Sequence, residues 1–223
     1  MSGAPDPRHS APHFASRTAL ADVLTQRLRD RPRLSLPAAA MGLRESAVLM
    51  PILWQGDAPP ELLYIVRRAD APTHSGQVAF PGGKREAHDP SISDTALRES
   101  FEEVGLSPAD VTLCGLLDDV PTPAGFNITP VVGIVSPGGH APISFQPNQR
   151  EVAELFQVPM SAFPASYHLA GHTRWQGIRY ALHEFHYADP AILSTRRIWG
   201  ATARMTYQLL LLLDLLPPIH DEG

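Results

Sequence analysis

The chain has 223 residues, 43% of them apolar, enough for one domain with a substantial core plus flanking segments. A net charge of -5 and a pI near 6.0 leave no electrostatic footprint for nucleic acid, so any anionic substrate must be held by local arginines, lysines or bound metal. The single Cys114, in the apolar run VTLCGLL, excludes an intramolecular disulfide and thiolate zinc clusters, and is expected to be buried.

Residues 1–16 are rich in Pro, Ser and small side chains and are expected to be a disordered tail. They lack the apolar core of a signal peptide, which makes a cytoplasmic location the expectation. Residues 17–45 form a helix and connector. RTALADVLTQRLRD sets Leu20, Val23, Leu24 and Leu28 at helical spacing before Pro32 ends the helix. A single domain then covers residues 46–217. SAVLMPILW and ELLYIVRR, joined by the turn-rich QGDAPP, read as a hairpin, and GQVAF is a third strand running into Pro81-Gly82-Gly83. After a charged helix come strands in VTLCGLL, FNITPVVGIV and EVAELFQVP, then one or two in RYALHEFHYA. A final helix near Trp199–Leu216 is apolar nearly all round. Its run LLLLLDLL is broken by Asp214 and stopped by Pro217 and Pro218, short of the roughly 20 residues a membrane span needs. Burial on several sides, or a homodimer seam, would account for it. No internal repeat is present. The elements add up to α+β or α/β: a mixed central sheet flanked by helices.

The charged helix lies in GGKREAHDPSISDTALRESFEEVGL. On a 3.6-residue period, Leu97, Phe101 and Val104 share a stripe expected to face the core, while Arg98, Glu99, Glu102 and Glu103 occupy the opposite arc. Ser91 or Ser93 can cap the start, and Gly105 sits where a left-handed stop belongs. A solvated amphipathic face is one reading. But three acids so close repel one another, with only one arginine among them, and hard divalent cations such as Mg2+ relieve that by taking carboxylate oxygens. The preceding Gly82-Gly83 adds backbone without side chains, which lets a carbonyl or a phosphate approach closely.

The segment Gly83-x5-Asp89-x8-Arg98-Glu99-Ser100-Phe101-Glu102-Glu103-Val104-Gly105-Leu106 resembles the Nudix box, G-x5-E-x7-R-E-U-x-E-E-x-G-U. Asp89 stands for the first Glu, one extra residue precedes Arg98, and Ser100 replaces an aliphatic residue, where it should cost packing at the edge of the apolar stripe. The first two departures resemble the coenzyme A pyrophosphatase-like branch. Leu62, Leu63, Arg67, Gly76, Phe80, Pro81, Gly82 and Gly83 are similar to that branch's upstream motif. Ile65, Arg68 and Pro72 depart from it, Pro72 standing where a second arginine is usual.

The resemblance implies a Nudix-type α/β/α sandwich and hydrolysis of a small-molecule nucleotide substrate with Mg2+ or Mn2+. Neither nucleic acid nor membrane is implied as a partner. It assigns Glu102 and Glu103 as metal ligands and Glu99 as a further ligand or the water-activating base. A backbone carbonyl near Gly82 completes the coordination. Arg98 would orient a glutamate through a bidentate pair, and Asp89 would cap or pair within the loop. Glu151 is a second candidate base, or else a surface glutamate at a strand start. Arg67, Arg68 and Gly83 are candidates for the substrate phosphates. His74 and His88 read as surface residues, and Trp175 and Trp199 as structural, with stacking on a base as the alternative. CoA or acyl-CoA is the leading substrate. ADP-ribose, nucleotide sugars and dinucleoside polyphosphates form the alternative, and a binding-only module is a third reading that the complete set of acids disfavours.

Overall fold

Strand alternation in the computed structural model, which describes residues 16–55, 58–68, 76–136, 143–175 and 178–219, explains why the apolar runs are continuous. In β1 (Arg44–Leu53), Val48, Met50 and Ile52 face one core while Ala47, Leu49 and Leu53 face another. In β2 (Glu61–Arg67), Leu62 and Tyr64 join the first core, Leu63 and Ile65 the second. A sheet covered on both faces needs apolar residues at successive positions.

That sheet is mixed. β1 runs parallel to β7 (Phe126–Val135) along its whole length. It meets β2 antiparallel only at Ile52–Leu62 and Leu53–Glu61, so the expected hairpin is short. Beyond that point the two strands part. β3 (Val78–Ala79) pairs with β2, and β4 (Gly82–Lys84) pairs with β1. β5 (Val111–Leu116) and β6 (Val120–Thr122) lie antiparallel on β7. On the far side of β2 runs β8 (Val152–Pro159).

Helices cover both faces. α1 (Arg17–Asp30) is capped by Ser16, whose side chain accepts the Ala19 N–H, and it buries Leu20, Leu24 and Leu28 in the first core. α2 (Ile92–Val104) covers the second core with Ala96 and Val104. A short α3 (Phe163–Ser166) leads into a separate antiparallel sheet of β9 (Tyr167–Trp175), β10 (Ile178–Asp189) and β11 (Ser194–Ile198). α4 (Gly200–Leu212) packs against β10 and buries Ala203, Met205, Leu209 and Leu210 in the first core. The result is the expected α/β/α sandwich with a mixed central sheet.

Several expectations need correction. The third strand was expected to end at Pro81-Gly82-Gly83, but pairing resumes there as the strand Gly82–Lys84, and β6, β9 and β11 had no clear signal in the sequence. Phe101 is exposed, whereas Ser100 is fully buried and donates its hydroxyl to the Ala96 carbonyl at 2.7 Å. Small residues let α2 lie close to the sheet, and that hydrogen bond removes the packing cost expected of Ser100. The apolar faces of α4 are covered within its own chain, which accounts for the pattern that hinted at a dimer seam. Among the described residues no helix is long and apolar enough to cross a membrane. The tail through residue 15, Pro72 and His74 lie outside the described residues.

Candidate active site

The parting of β1 and β2 exposes the polar edge of β4. Pro81 O accepts the Leu49 N–H and the Arg85 N–H donates to Glu45 O, so Gly83 between them pairs with Ala47. By the alternation of an antiparallel ladder, the backbone groups of Gly82 and Lys84 turn away from β1. Both find partners on α2: Gly82 N–H donates to Glu103 Oε2 at 2.9 Å, and Lys84 O accepts from Arg98 Nη2 at 3.0 Å. An extended residue points its N–H and C=O to the same side, so the Gly82 carbonyl faces this edge as well. The two glycines are needed for different reasons. A Cβ on Gly82 would collide with the Ala47 carbonyl and the Val48 backbone. On Gly83 it would lie 2.5 Å from the Glu99 carboxylate.

α2 starts at Ser91, whose side chain accepts the Asp94 N–H, and ends at Gly105 in the left-handed region at φ 72°. Its arginine is the hub of the site. Arg98 grips Asp89 bidentately, Nε to Oδ1 at 2.9 Å and Nη2 to Oδ2 at 3.0 Å. The Arg98 Nη1 reaches Glu99 Oε1 at 2.9 Å and Glu102 Oε2 at 3.3 Å. So the expected bidentate pair exists, with the aspartate as partner. Asp89 also accepts the Glu86 N–H and the Thr95 hydroxyl. The Arg98 guanidinium holds the Asp89 carboxyl well below the usual carboxylate range, against the effect of burial.

The other two inward acids are shifted the opposite way. Burial raises Glu99, and the charges of Glu102 and Glu151 add to the rise, while Arg98 opposes it. Glu103 is 2% exposed, and burial pushes its carboxyl up to about 7 despite the Gly82 N–H and the nearby Arg67. Arg67 Nη1 stands 3.5 Å from Glu103 Oε1, and Arg67 Nε is buried with no hydrogen-bond partner among the described residues. Glu102 is half exposed at the rim. Glu151, at the start of β8, is exposed, yet its charge contributes to the rise at both Glu99 and Glu103, which brings it to the same site.

These donors suit a hard divalent cation. All are oxygens, and burial above all disfavours the ionised form of Glu103, a cost that a bound cation would offset. Among the described residues no three such groups are already drawn into one cage. Arg98 takes one oxygen of Glu99 and one of Glu102, and the Gly82 N–H takes one of Glu103, so each carboxylate keeps a second oxygen that these bonds do not use.

The NUDIX domain family matches residues 43–173 of the chain, which takes in β1, β4, α2 and Glu151. This chain belongs to the Nudix hydrolase family. Among its relatives is a protein of Pectobacterium atrosepticum named uncharacterized Nudix hydrolase NudL, 38% identical over 86% of this chain and 94% of that one. Proteins of the same name from Photorhabdus laumondii and Citrobacter koseri are 37% and 32% identical. They align with 81% and 91% of this Nudix hydrolase, and with 92% and 98% of their own lengths.

The fold therefore brings Gly82, Gly83, Arg67, Arg98, Glu99, Glu102, Glu103 and Glu151 together. Arg68 is directed elsewhere: its Nη1 donates to the Gln149 carbonyl at 3.1 Å. His88 is exposed beside Glu86 and Asp89, and Trp199 is exposed next to Arg197. Thr95 and Asn148 were missed. The Asn-x-x-Glu spacing of a side-chain-closed turn was the one available signal for Asn148.

Proposed function

We propose that this Nudix hydrolase cleaves the pyrophosphate of a nucleoside diphosphate linked to another moiety, with CoA or acyl-CoA as the leading substrate and Mg2+ or Mn2+ as cofactor. The products from CoA are 3',5'-ADP and 4'-phosphopantetheine. The observation that carries the reading is the convergence of Glu99, Glu103 and the Gly82 backbone, with Glu102 at the rim and Glu151 on the turn bonded to the end of α2. When bound, the ion neutralises phosphate charge and acidifies water.

The chain's own groups supply the rest. Glu99, Glu102, Glu103 and the Gly82 carbonyl are the donors. Arg98 fixes Glu99 and Glu102 while Asp89 fixes Arg98. Arg67, partly exposed beside Glu103, offers its terminal guanidinium donors to a phosphate oxygen, and Gly83 leaves room for close approach. Glu99 is engaged by Arg98 as a donor to the ion, so the base that takes the proton of the attacking water is assigned to Glu151, exposed on the turn fastened to the end of α2, with Glu99 as the alternative. Water adds to one phosphorus and the bridging P–O bond breaks.

The CoA assignment is supported by the resemblance of the segment from Leu62 to Gly83 to the branch motif. Ile65 and Pro72, which depart from that motif, favour a second reading: ADP-ribose, nucleotide sugars or dinucleoside polyphosphates. Incubation with these compounds and CoA, followed by product mass analysis, distinguishes the two. Turnover of CoA to 3',5'-ADP well ahead of the others is the outcome expected, and turnover of the others without CoA overturns it.

A further inference from the structure

The turn that carries Glu151 is fastened from two sides. Gln146 N–H donates to Val104 O and Asn148 N–H to Glu103 O, each at 2.8 Å, satisfying carbonyls that the end of α2 leaves without helical partners. Asn148 then closes the turn on itself. Its carbonyl accepts the Glu151 N–H at 3.0 Å and the Val152 N–H at 2.9 Å, and its side-chain Oδ1 accepts the Arg150 N–H at 3.1 Å. From the opposite side, Arg68 N–H donates to Glu151 O at 3.0 Å and Arg68 Nη1 to Gln149 O at 3.1 Å. The register of β2 against β8 shifts between Val66 and Arg67, just where these contacts begin. Bulges of this kind re-aim side chains next to active sites.

The backbone of Glu151 is thus committed at both its N–H and its carbonyl, while its carboxylate takes no hydrogen bond among the described residues. A helix end needs only water for its last carbonyls. Here they are joined instead to the turn that carries Glu151. The helix cap is built into the same contact, since a Cβ on Gly105 would lie 2.9 Å from Gln146 Cβ.

We infer that Asn148 is a positioning residue for the reaction, holding Glu151 at a fixed place relative to the α2 carboxylates, with Arg68 as the second anchor. The inference rests on the reading of Glu151 as the base. The bond from Asn148 N–H to Glu103 O, at the end of the helix that carries the acids, agrees with that placement. The side chain contributes the bond from the Arg150 N–H to Oδ1, the one contact of Asn148 in this turn that a substitution removes while its backbone bonds stay.

The test is steady-state kinetics on the full chain with Mg2+ and the panel compound it turns over fastest, for Asn148→Ala, Asn148→Asp, Glu151→Gln and the double variant Asn148→Ala/Glu151→Gln. Misplacing a reacting group by about 1 Å costs up to roughly a hundredfold, so Asn148→Ala should lower kcat about tenfold to a hundredfold and shift KM by less than about threefold. Asn148→Asp keeps the acceptor and should recover most of the rate. The double variant should be no slower than Glu151→Gln alone, because a displaced base that is already absent costs nothing further. Unchanged kcat in Asn148→Ala, or losses that multiply in the double variant, overturns the inference. Full kcat in Glu151→Gln overturns the base assignment itself, a separate result that also removes the inference. Should Asn148→Ala fail to fold by circular dichroism, Arg68→Ala loosens the same turn from outside. It should show the same lack of additivity with Glu151→Gln, and multiplying losses there overturn the inference equally.

Discussion

Glu103 is a single carboxylate whose ionised form is costly to the fold. Its burial, and the charges of Glu99 and Glu151, outweigh the Gly82 N–H and Arg67, so the neutral form is favoured up to about pH 7. The sign of the linkage follows. A raised folded-state value gives a contribution that is fully present below the ordinary value of 4.5 and is lost as pH rises through about 7. Glu103→Gln should therefore abolish turnover, yet match or exceed the wild-type melting temperature in EDTA at pH 8, with the gap closing toward pH 5. A large fall in melting temperature at pH 8, or near-normal turnover at saturating Mg2+, contradicts this account. Asp89 has the opposite sign. Arg98 depresses it, so its contribution is present above the ordinary value of 3.8 and disappears only as pH falls through its lowered one. Removing one partner of a buried, doubly hydrogen-bonded pair costs about 3 kcal/mol or more, so Asp89→Asn should lose that much in urea unfolding at pH 7. A loss confined to a few tenths of a kcal/mol would mean that Arg98 finds equivalent partners without it.

At the scale of elements, the glycine pair on β4 separates fold from site. Gly82→Ala forces a methyl into the backbone of β1 and should destabilise by about 2 kcal/mol or more. Gly83→Ala meets only the end of a flexible side chain, Glu99. It should leave the melting temperature nearly unchanged while lowering kcat on the order of tenfold or more, since it displaces a group of the site. Equal effects of the two substitutions on stability would refute the assignment of their roles. α2 itself was legible in the sequence, cap to cap, because Ser91, Gly105 and the 3.6-residue period agree. Its rotation was not. Periodicity weighs Phe101 above Ser100, but the helix must bring Glu103 to Gly82. Small Ala96 and Ser100 permit that approach, which leaves Phe101 outside. Glu151 was visible only as an acid beside a strand. What brings it to the site is a set of backbone bonds to Glu103, Val104 and Arg68 that no local pattern encodes.

For the whole molecule, the sheet and its two covering layers were readable from apolar runs buried on both faces. The second sheet was less so, because β9 and β10 mix exposed His, Arg and Thr with single apolar residues. The family match ends at residue 173, but the chain's core does not: Tyr64 bonds Thr206 through their hydroxyls at 2.9 Å, and α4 fills the first core. Truncation after Ile198 should abolish cooperative unfolding in a thermal melt, and a truncated chain with a sharp transition would show that α4 is dispensable. The central claim is that the α2 carboxylates hydrolyse a pyrophosphate with a divalent ion. One measurement addresses it most directly: mass analysis of products from CoA and the other nucleoside diphosphate derivatives, with wild type and Glu103→Gln, in Mg2+ and in EDTA. Cleavage at the pyrophosphate by wild type in Mg2+ alone is the expected result. Cleavage that persists in EDTA or in Glu103→Gln, or products cut at any bond other than the pyrophosphate, would contradict it.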